Sequence, residues 1–495
     1  MRMNTSRREF LKTAGACVAG ASLSGYASAG PERPNILLIM SDEHNASVMG
    51  CAPNNIAHTP ALDHLAEKGI VFDTCYCNSP LCVPSRLSFT SGKYVSRVGA
   101  WNNECWLPSD DYPSVARLAN DSGYESFLCG KMHYDRTRRY GFKEIGGKMN
   151  EGDKTGLGGR RKTEDLKATG KTSERFKDFY TAEDSKVLSH DRAVTAGVGA
   201  FLSKREANAK PFFLIAGYLA PHFPLIVPES FWKKYEGRVS PPEIPEGYLD
   251  RLPLNYKHLR NGFNMEEVPE AVVRRGRELY YALTEWVDAE IGKTLAALDN
   301  SPHADNTIVI YTSDHGENMG EHGLWWKNCL FDSAARVPLI VSWPARWPGG
   351  QRRTEACSLV DVASTIAALA GTPAQADWDG DSMLGWMDGK EGWKDRAVSE
   401  YYAHNIASGY VMLRAGDYKY VYHCPPDEGR GPERELYCLK EDPGELRNLA
   451  ALPEHRQRMD AMHASLLKEL GEHPDETEKR CRTDYAKGYG RKRRG

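Results

Sequence analysis

Runs of apolar residues that stop abruptly at polar ones recur along this chain. In RPNILLIMSDEHN, Ile36 to Met40 are continuously apolar, and Asp42, Glu43 and His44 follow. An unbroken apolar run suits a parallel strand covered by helices on both faces, so this segment predicts a buried strand entering a polar loop. TPALDHLAEKGIVF, from Thr59, predicts a short helix and a second strand. SVARLANDSGYESFLCGKMHY, from Ser114, repeats the scheme: a helix, Gly123 as its stop, a strand, then the polar Lys131 and His133. KPFFLIAGYLAPHFPL predicts a strand leading to His222, and NTIVIYTSDHGENMGEHG one leading to Asp314, His315 and Glu317. RVPLIVSWP predicts one more strand. Leu279, Leu283, Val287, Ile291 and Leu295 recur every four residues and mark one face of a helix.

Alternating strands and helices predict an α/β fold with a mostly parallel sheet flanked by helices. Polar residues gather at one end of these strands, where open α/β sheets build their sites. Two stretches lack this periodicity. Residues 141–186, rich in Gly, Lys and Thr, are expected to form a long surface insertion, and Pro241 to Pro269 reads as linker-like. After about Asp377 the texture changes. GYVMLRAGDYKYVYH and RELYCLKEDPGELRNLA predict a small antiparallel sheet with a helix, a candidate C-terminal α+β subdomain over residues 377–480 after a larger α/β domain over 30–376.

Composition narrows the classes. With 41% hydrophobic and 26% charged residues, the 495-residue chain resembles ordinary globular proteins rather than disordered ones. A net charge of −3 gives no reason to expect nucleic acid or an anionic membrane as partner. Residues 481–495, ending RKRRG, are expected to be a solvated basic tail. Near the start, Arg7 and Arg8 precede a small-residue, mildly apolar run that ends at YASAG. This resembles a twin-arginine export signal over residues 1–29, cut after Ala29. Gly15, Gly20 and Gly25 would weaken an ordinary helix there, and Cys17 lacks the Leu or Ile of a lipoprotein signal. No other segment is long and apolar enough to span a bilayer, so a soluble, exported, periplasmic protein is expected. Twelve cysteines are too few for a disulfide scaffold of this length. Cys75 and Cys77 are expected to be small buried residues or part of a bridge.

The polar strand ends carry the candidate chemistry. Asp42, Glu43, Asp314 and His315 are oxygen-rich donors with one imidazole, a set that suits a hard divalent cation. Taken singly, an Asp at a strand end is more often a turn or cap. Arg86, Lys131, His133, His222 and Lys327 fall in or beside the same loops. A metal with several cationic donors would bind a tetrahedral oxyanion and stabilise charge developing on it. Cys82, in NSPLCVPSRLSF, stands among them as a nucleophile, a ligand or a site of oxidation.

LCVPSR is similar to the C-x-P-S-R element of the type I sulfatases, in the alkaline phosphatase superfamily. GYESFLCGKMH, NILLIMSDEHN, TSDHGENMGEHGLWWKN, TPALDHLAEKGIVFDTCYCNSPLC, ARVPLIVSWP and the tail from RAGDYKYVYH to NLA resemble further family segments, in family order. The resemblance implies an alkaline-phosphatase-like fold with a smaller C-terminal domain. It implies that Cys82 is oxidised to formylglycine (3-oxoalanine) by a formylglycine-generating, sulfatase-maturating enzyme, and that its hydrate is the nucleophile. Asp42, Glu43, Asp314 and His315, with the modified Cys82, would hold calcium, or magnesium or manganese. Arg86 would fix the formylglycine, Lys131 and Lys327 would bind sulfate oxygens, His133 would orient the diol, and His222 would protonate the leaving alcohol with help from Lys327. Glu43 departs from the Asp or Gln of many members, Val83 stands at a usually small position, and FTSG deviates from the usual ending. Asp314-His315 with GLWWKN resembles the choline-sulfatase and phosphonate-monoester-hydrolase branch, and Tyr402 and His404 stand where that branch contacts substrate. The expected activity is hydrolysis of a sulfate ester of a sulfated carbohydrate or small organosulfate. The alternatives are a phosphonate monoester or phosphodiester hydrolase with the same site, and a non-catalytic sulfoglycan-binding protein.

Overall fold

The apolar run before Asp42 forms strand β1 (Asn35–Asp42), buried along its whole length. Ile36, Leu38 and Met40 enter one core cluster, while Leu37 and Ile39 enter a second on the other face. This is the period-two division expected of a strand covered on both sides. The computed structural model describes residues 33–147, 159–167 and 170–488. The export signal read over residues 1–29 lies outside them, as do the last residues of the basic tail. Among the described residues no helix is long and apolar enough to cross a membrane.

Seven more strands join β1: β2 (Ile70–Phe72), β3 (Glu125–Gly130), β4 (Lys143–Glu144), β5 (Phe212–Pro221), β6 (Thr307–Ser313), β7 (Leu339–Ser342) and β8 (Gln351–Arg353). The sheet order is β8-β2-β7-β6-β1-β5-β3-β4. The sheet is parallel except at β7, which runs antiparallel to both β2 and β6. An antiparallel neighbour needs no crossover helix, and β7 returns directly from the loop after β6.

Helices cover both faces. α1 (Pro60–Glu67), α4 (Lys186–Lys204) and α6 (Glu270–Asp299) bury Leu62, Val194, Leu279, Leu283, Val287 and Ile291 in the core with Leu37. α2 (Cys82–Ser91), α3 (Val115–Asp121) and α7 (Leu359–Leu369) bury Leu87, Leu118 and Ile366 in the core with Leu38.

The C-terminal sheet is β9 (Arg396–Tyr401), β10 (Tyr410–Ala415), β11 (Tyr418–His423) and β12 (Glu433–Cys438), antiparallel throughout. One face packs on α8 (Arg456–Leu470) and α9 (Pro474–Ala486), burying Leu413, Leu466 and Cys481. The other face places Tyr410 and Met412 in the same core as Leu37 and Leu214.

Three expectations change. The 141–186 segment is not wholly superficial: it supplies edge strand β4, and Phe176 and Phe179 are buried against Trp325. The Pro241 to Pro269 stretch contains helix α5 (Leu254–Gly262), which buries Tyr256 and Leu259. Helix α9 continues through Ala486, so residues first read as basic tail begin inside a helix. In each case the apolar residues are too sparse to show a period, and they are covered by segments distant in sequence.

Candidate active site

The site lies at the C-terminal ends of β1, β3, β5 and β6 and is closed by the first turn of α2. Asp42 ends β1, and Glu43 follows at φ 66°, a left-handed conformation that costs a non-glycine residue about 1–2 kcal/mol. Two bonds hold it there: Glu43 N donates to Asp314 Oδ1 (3.1 Å), and Tyr280 of α6 donates its hydroxyl to Glu43 O (2.6 Å). Lys131 is delivered by a close approach of β3 and β5. Gly130 sits at φ 95°, and a Cβ there would stand 2.2 Å from Gly217 O. Lys131 N instead donates to that carbonyl (2.8 Å). The loop of His222 is held by Asp191 of α4, which accepts from Leu219 N (2.7 Å) and Ala220 N (2.8 Å).

Cys82 opens α2 and is buried. Its sulfur lies 3.2 Å from His315 Nε2, 3.3 Å from Lys327 Nζ and 3.8 Å from Asp42 Oδ1. Burial opposes ionisation, but Lys327, Lys131 and His315, with a hydrogen bond to His133, hold the thiol well below the ordinary range. Arg86 stands one turn later on the same helix face. Its guanidinium is fully buried and bridges the two aspartates, Nε to Asp314 Oδ2 (2.8 Å) and Nη2 to Asp42 Oδ2 (2.9 Å), while Nη1 donates to Lys131 O (2.8 Å). Lys131 pairs with Asp42. Lys327 Nζ lies 3.2 Å from Glu43 Oε2 and 2.8 Å from His222 Nε2. His222 turns Nδ1 to Phe223 O, which leaves Nε2 toward the site.

The ligand atoms of Asp42, Cys82, Asp314 and His315 all lie within 4.8 Å of one another, and a second such group is Asp42, Glu43 and His222. His315 donates Nδ1 to Gly316 O (3.0 Å), so Nε2 faces the cluster in the orientation a ligand needs. Burial lowers the basicity of His315, but Asp314 and the Cys82 sulfur together outweigh it and hold the imidazole up at about 9. Asp314 is itself raised, because burial outweighs the Arg86 guanidinium. Carboxylates with one imidazole fit a hard divalent cation. Glu317, noted in the sequence but given no role, faces Glu43 and has its carboxyl pushed well up by burial and by that neighbour. Glu43 Oε1 and Glu317 Oε2 are both buried without a hydrogen-bond donor, a pairing that calls for a shared proton or a cation.

The sulfatase family profile matches residues 34–372. The chain belongs to the sulfatase family. A second profile, N-sulphoglucosamine sulphohydrolase, C-terminal, matches residues 320–472 of this sulfatase. Choline-sulfatase of Rhizobium meliloti (strain 1021) is 31% identical over 451 residues, 85% of this chain and 83% of its own. N-acetylglucosamine-6-O-sulfatase of Bacteroides thetaiotaomicron is 26% identical over 549 residues, covering 93% of this chain and 89% of its own. Among solved structures, phosphonate monoester hydrolase of Agrobacterium radiobacter superposes with a TM-score of 0.71 at 22% identity, over 88% of this chain and 95% of that one. The fold is alkaline-phosphatase-like, and the sulfatase is a sulfuric ester hydrolase.

The structure thus gathers Asp42, Glu43, Cys82, Arg86, Lys131, His133, His222, Asp314, His315 and Lys327 in one cluster. Tyr402 is placed elsewhere. Its ring packs on Trp101 (5.4 Å between centroids) and against Gly409, in the core between the C-terminal sheet and α9. Its neighbour Tyr401 is the one turned toward the site, accepting from Asn328 Nδ2 (2.8 Å) beside Lys327. Adjacent residues at a strand end face opposite ways, and sequence alone does not say which faces the site. His404 is buried, 5.9 Å from Phe263 between ring centroids, and burial, Arg175 and Lys327 lower its basicity to about 3. Cys75 and Cys77 are both buried and free.

Proposed function

We propose that this sulfatase hydrolyses the sulfate ester of a sulfated carbohydrate or small organosulfate to an alcohol and inorganic sulfate, after a maturating enzyme has oxidised Cys82 to formylglycine. The observation that carries the proposal is the enclosure of Cys82. It opens a helix, lies against carboxylates and an imidazole on one side, and faces Lys131, Lys327 and two histidines on the other. A serine or thiol would have to be freed from sulfate by a second displacement. An aldehyde hydrate has a second hydroxyl and can expel sulfate while re-forming the carbonyl.

Asp42, Glu43, Asp314 and His315 would hold the divalent cation, calcium by preference, which supplies Lewis-acid charge beside the nucleophile. Arg86 bridges Asp42 and Asp314, holds both in place and anchors the helix turn carrying residue 82. Lys131 and Lys327 present ammonium groups to the ester oxygens, where negative charge grows in the transition state. His133 holds a proton beside residue 82. His222, with Lys327 next to Nε2, delivers one to the leaving oxygen. Export by a twin-arginine signal fits this order, because that route carries proteins already folded and modified.

Mass spectrometry of the Cys82 peptide from native-host protein tests the modification. The expected product is an aldehyde that hydrazide reagents capture, and an unmodified thiol in active enzyme would refute it. Sulfate release is then compared between aryl sulfate and aryl phosphonate esters. Faster phosphonate turnover would overturn the sulfatase assignment. Tight binding of a sulfated glycan without release would favour a non-catalytic role.

A further inference from the structure

Arg175 lies in the described part of the 141–186 segment, one residue before the buried Phe176. Three aromatic rings bracket its guanidinium. The central carbon is 4.7 Å from the Phe223 centroid, 4.8 Å from Trp326 and 5.5 Å from Phe263. Phe176, next in sequence, stacks on Trp326 at 5.4 Å and so pins the backbone that carries Arg175. Among the described residues Arg175 makes no hydrogen bond and no ion pair. It is half-buried and reachable from solvent.

Two facts set its direction. His222 stacks on the same Phe223 ring (4.5 Å between centroids, 21° between planes), and Lys327 Nζ is 5.8 Å from that ring. Arg175 therefore lies on the leaving-alcohol side of the site, beyond the group that protonates that alcohol. The carboxylates Glu43 and Glu317 act on Arg175 through space, but neither bonds to it. Glu43 is already engaged by Lys327 and His222. Cation–π contact with three rings offsets part of the desolvation cost of the guanidinium and leaves its N–H fork unspent.

We propose that Arg175 is a specificity-determining residue that binds a second oxyanion, a carboxylate or a further sulfate, on the alcohol half of the substrate. The preferred substrates are then sulfated sugars with at least two negative groups. The same bracket disfavours an alcohol half carrying a quaternary ammonium, because the aromatic faces such a cation would use already hold a guanidinium. This reading rests on the sulfate-ester function proposed above.

The test uses the mature full-length enzyme and four substrates: a monosulfated neutral hexosamine, its disulfated counterpart, a monosulfated uronate disaccharide, and choline sulfate. Wild type should favour the two dianions over the neutral monosulfate by about tenfold or more in kcat/KM. Arg175→Gln should cost the dianions about ten- to a hundredfold, mostly in KM, while the neutral monosulfate changes by less than about threefold. Loss on only the disulfated or only the uronate substrate tells which oxyanion is bound. Arg175→Lys should recover part of the loss, and an unchanged melting temperature separates recognition from folding. Equal loss on all substrates, or none on any, would overturn the proposal, as would efficient choline sulfate turnover by wild type. Calorimetric binding of the disulfated sugar to wild type and Arg175→Gln gives a readout independent of turnover. Equal affinities there would also overturn it. Absence of sulfate release from every substrate would instead count against the sulfate-ester function.

Discussion

Two histidines at this site sit among similar charges, yet their positions assign them different tasks. His133 is tied to residue 82, whereas His222 turns Nε2 toward Lys327 and Glu43. A group that protonates the leaving oxygen matters in proportion to how badly that oxygen leaves. His222→Ala should therefore lower kcat by about 10²–10⁴-fold on an alkyl or sugar sulfate. On an aryl sulfate with an acidic phenol it should change kcat far less, and equal losses in a leaving-group series would assign the proton to another residue. Most of these residues were legible because their spacing is local: Cys82 and Arg86 are one helical turn apart, and Asp42, Lys131 and Asp314 each follow an apolar run. Glu317 was given no role, because its carboxyl is pushed up by burial and by Glu43, and both depend on contacts distant in sequence.

At the scale of elements, the loop that carries Lys327 is held mostly by the C-terminal sheet. Trp326 and Asn328, on either side of Lys327, both adopt positive φ, at 66° and 83°. Asn328 Nδ2 donates to Tyr401 of β9, and Tyr410 of β10 donates its hydroxyl to Asn328 O. Lys419 of β11 reaches under the same loop, donating to Leu330 O (3.0 Å) and pairing with Asp332 (2.5 Å) and Glu445 (2.7 Å). Burial and the Asp332 carboxylate push Glu445 up to about 7, although Lys419 opposes them. A folded-state value above the unfolded one means that folding takes up a proton, so this contribution weakens as pH rises through that window. Lys419→Met would push Glu445 higher still, leave it without its cation and leave Asp332 with only Arg336. Urea unfolding should show a loss of about 3 kcal/mol or more at pH 8 and a smaller loss at pH 6, where Glu445 takes a proton. Equal losses at the two pH values would mean that Lys419 does not set the ionisation of Glu445.

At the scale of the whole molecule, the division read near residue 377 marks a change of architecture but not a break in the core. Tyr401, Tyr410, Met412 and Val421 of the C-terminal sheet share one hydrophobic cluster with Leu37, Leu214 and Leu283. Asn78, just before the Cys82 helix, donates to Val398 O (3.0 Å) and accepts from Glu400 N (3.0 Å) and Val360 N (3.0 Å). A fragment of residues 30–376 would expose that apolar surface and release both the Cys82 and the Lys327 loops. Produced alone, it is expected to be insoluble or to lack a cooperative unfolding transition, and to show no sulfate release. A soluble, active fragment would show that the C-terminal sheet is dispensable.

The sequence by itself determined which segments become buried strands and helices, which polar residues end them, and that Cys82 belongs with Arg86. Each of those follows from local periodicity or a short motif. Tertiary structure alone decided that β7 runs antiparallel, that Phe176 and Phe179 leave the surface, and that Tyr401 rather than Tyr402 faces the site. It also decided that Arg175 meets three aromatic rings beside His222. The physical reason is the same in each case. Hydrophobic pattern records that a residue is covered, whereas the identity of what covers it depends on contacts between segments far apart in the chain.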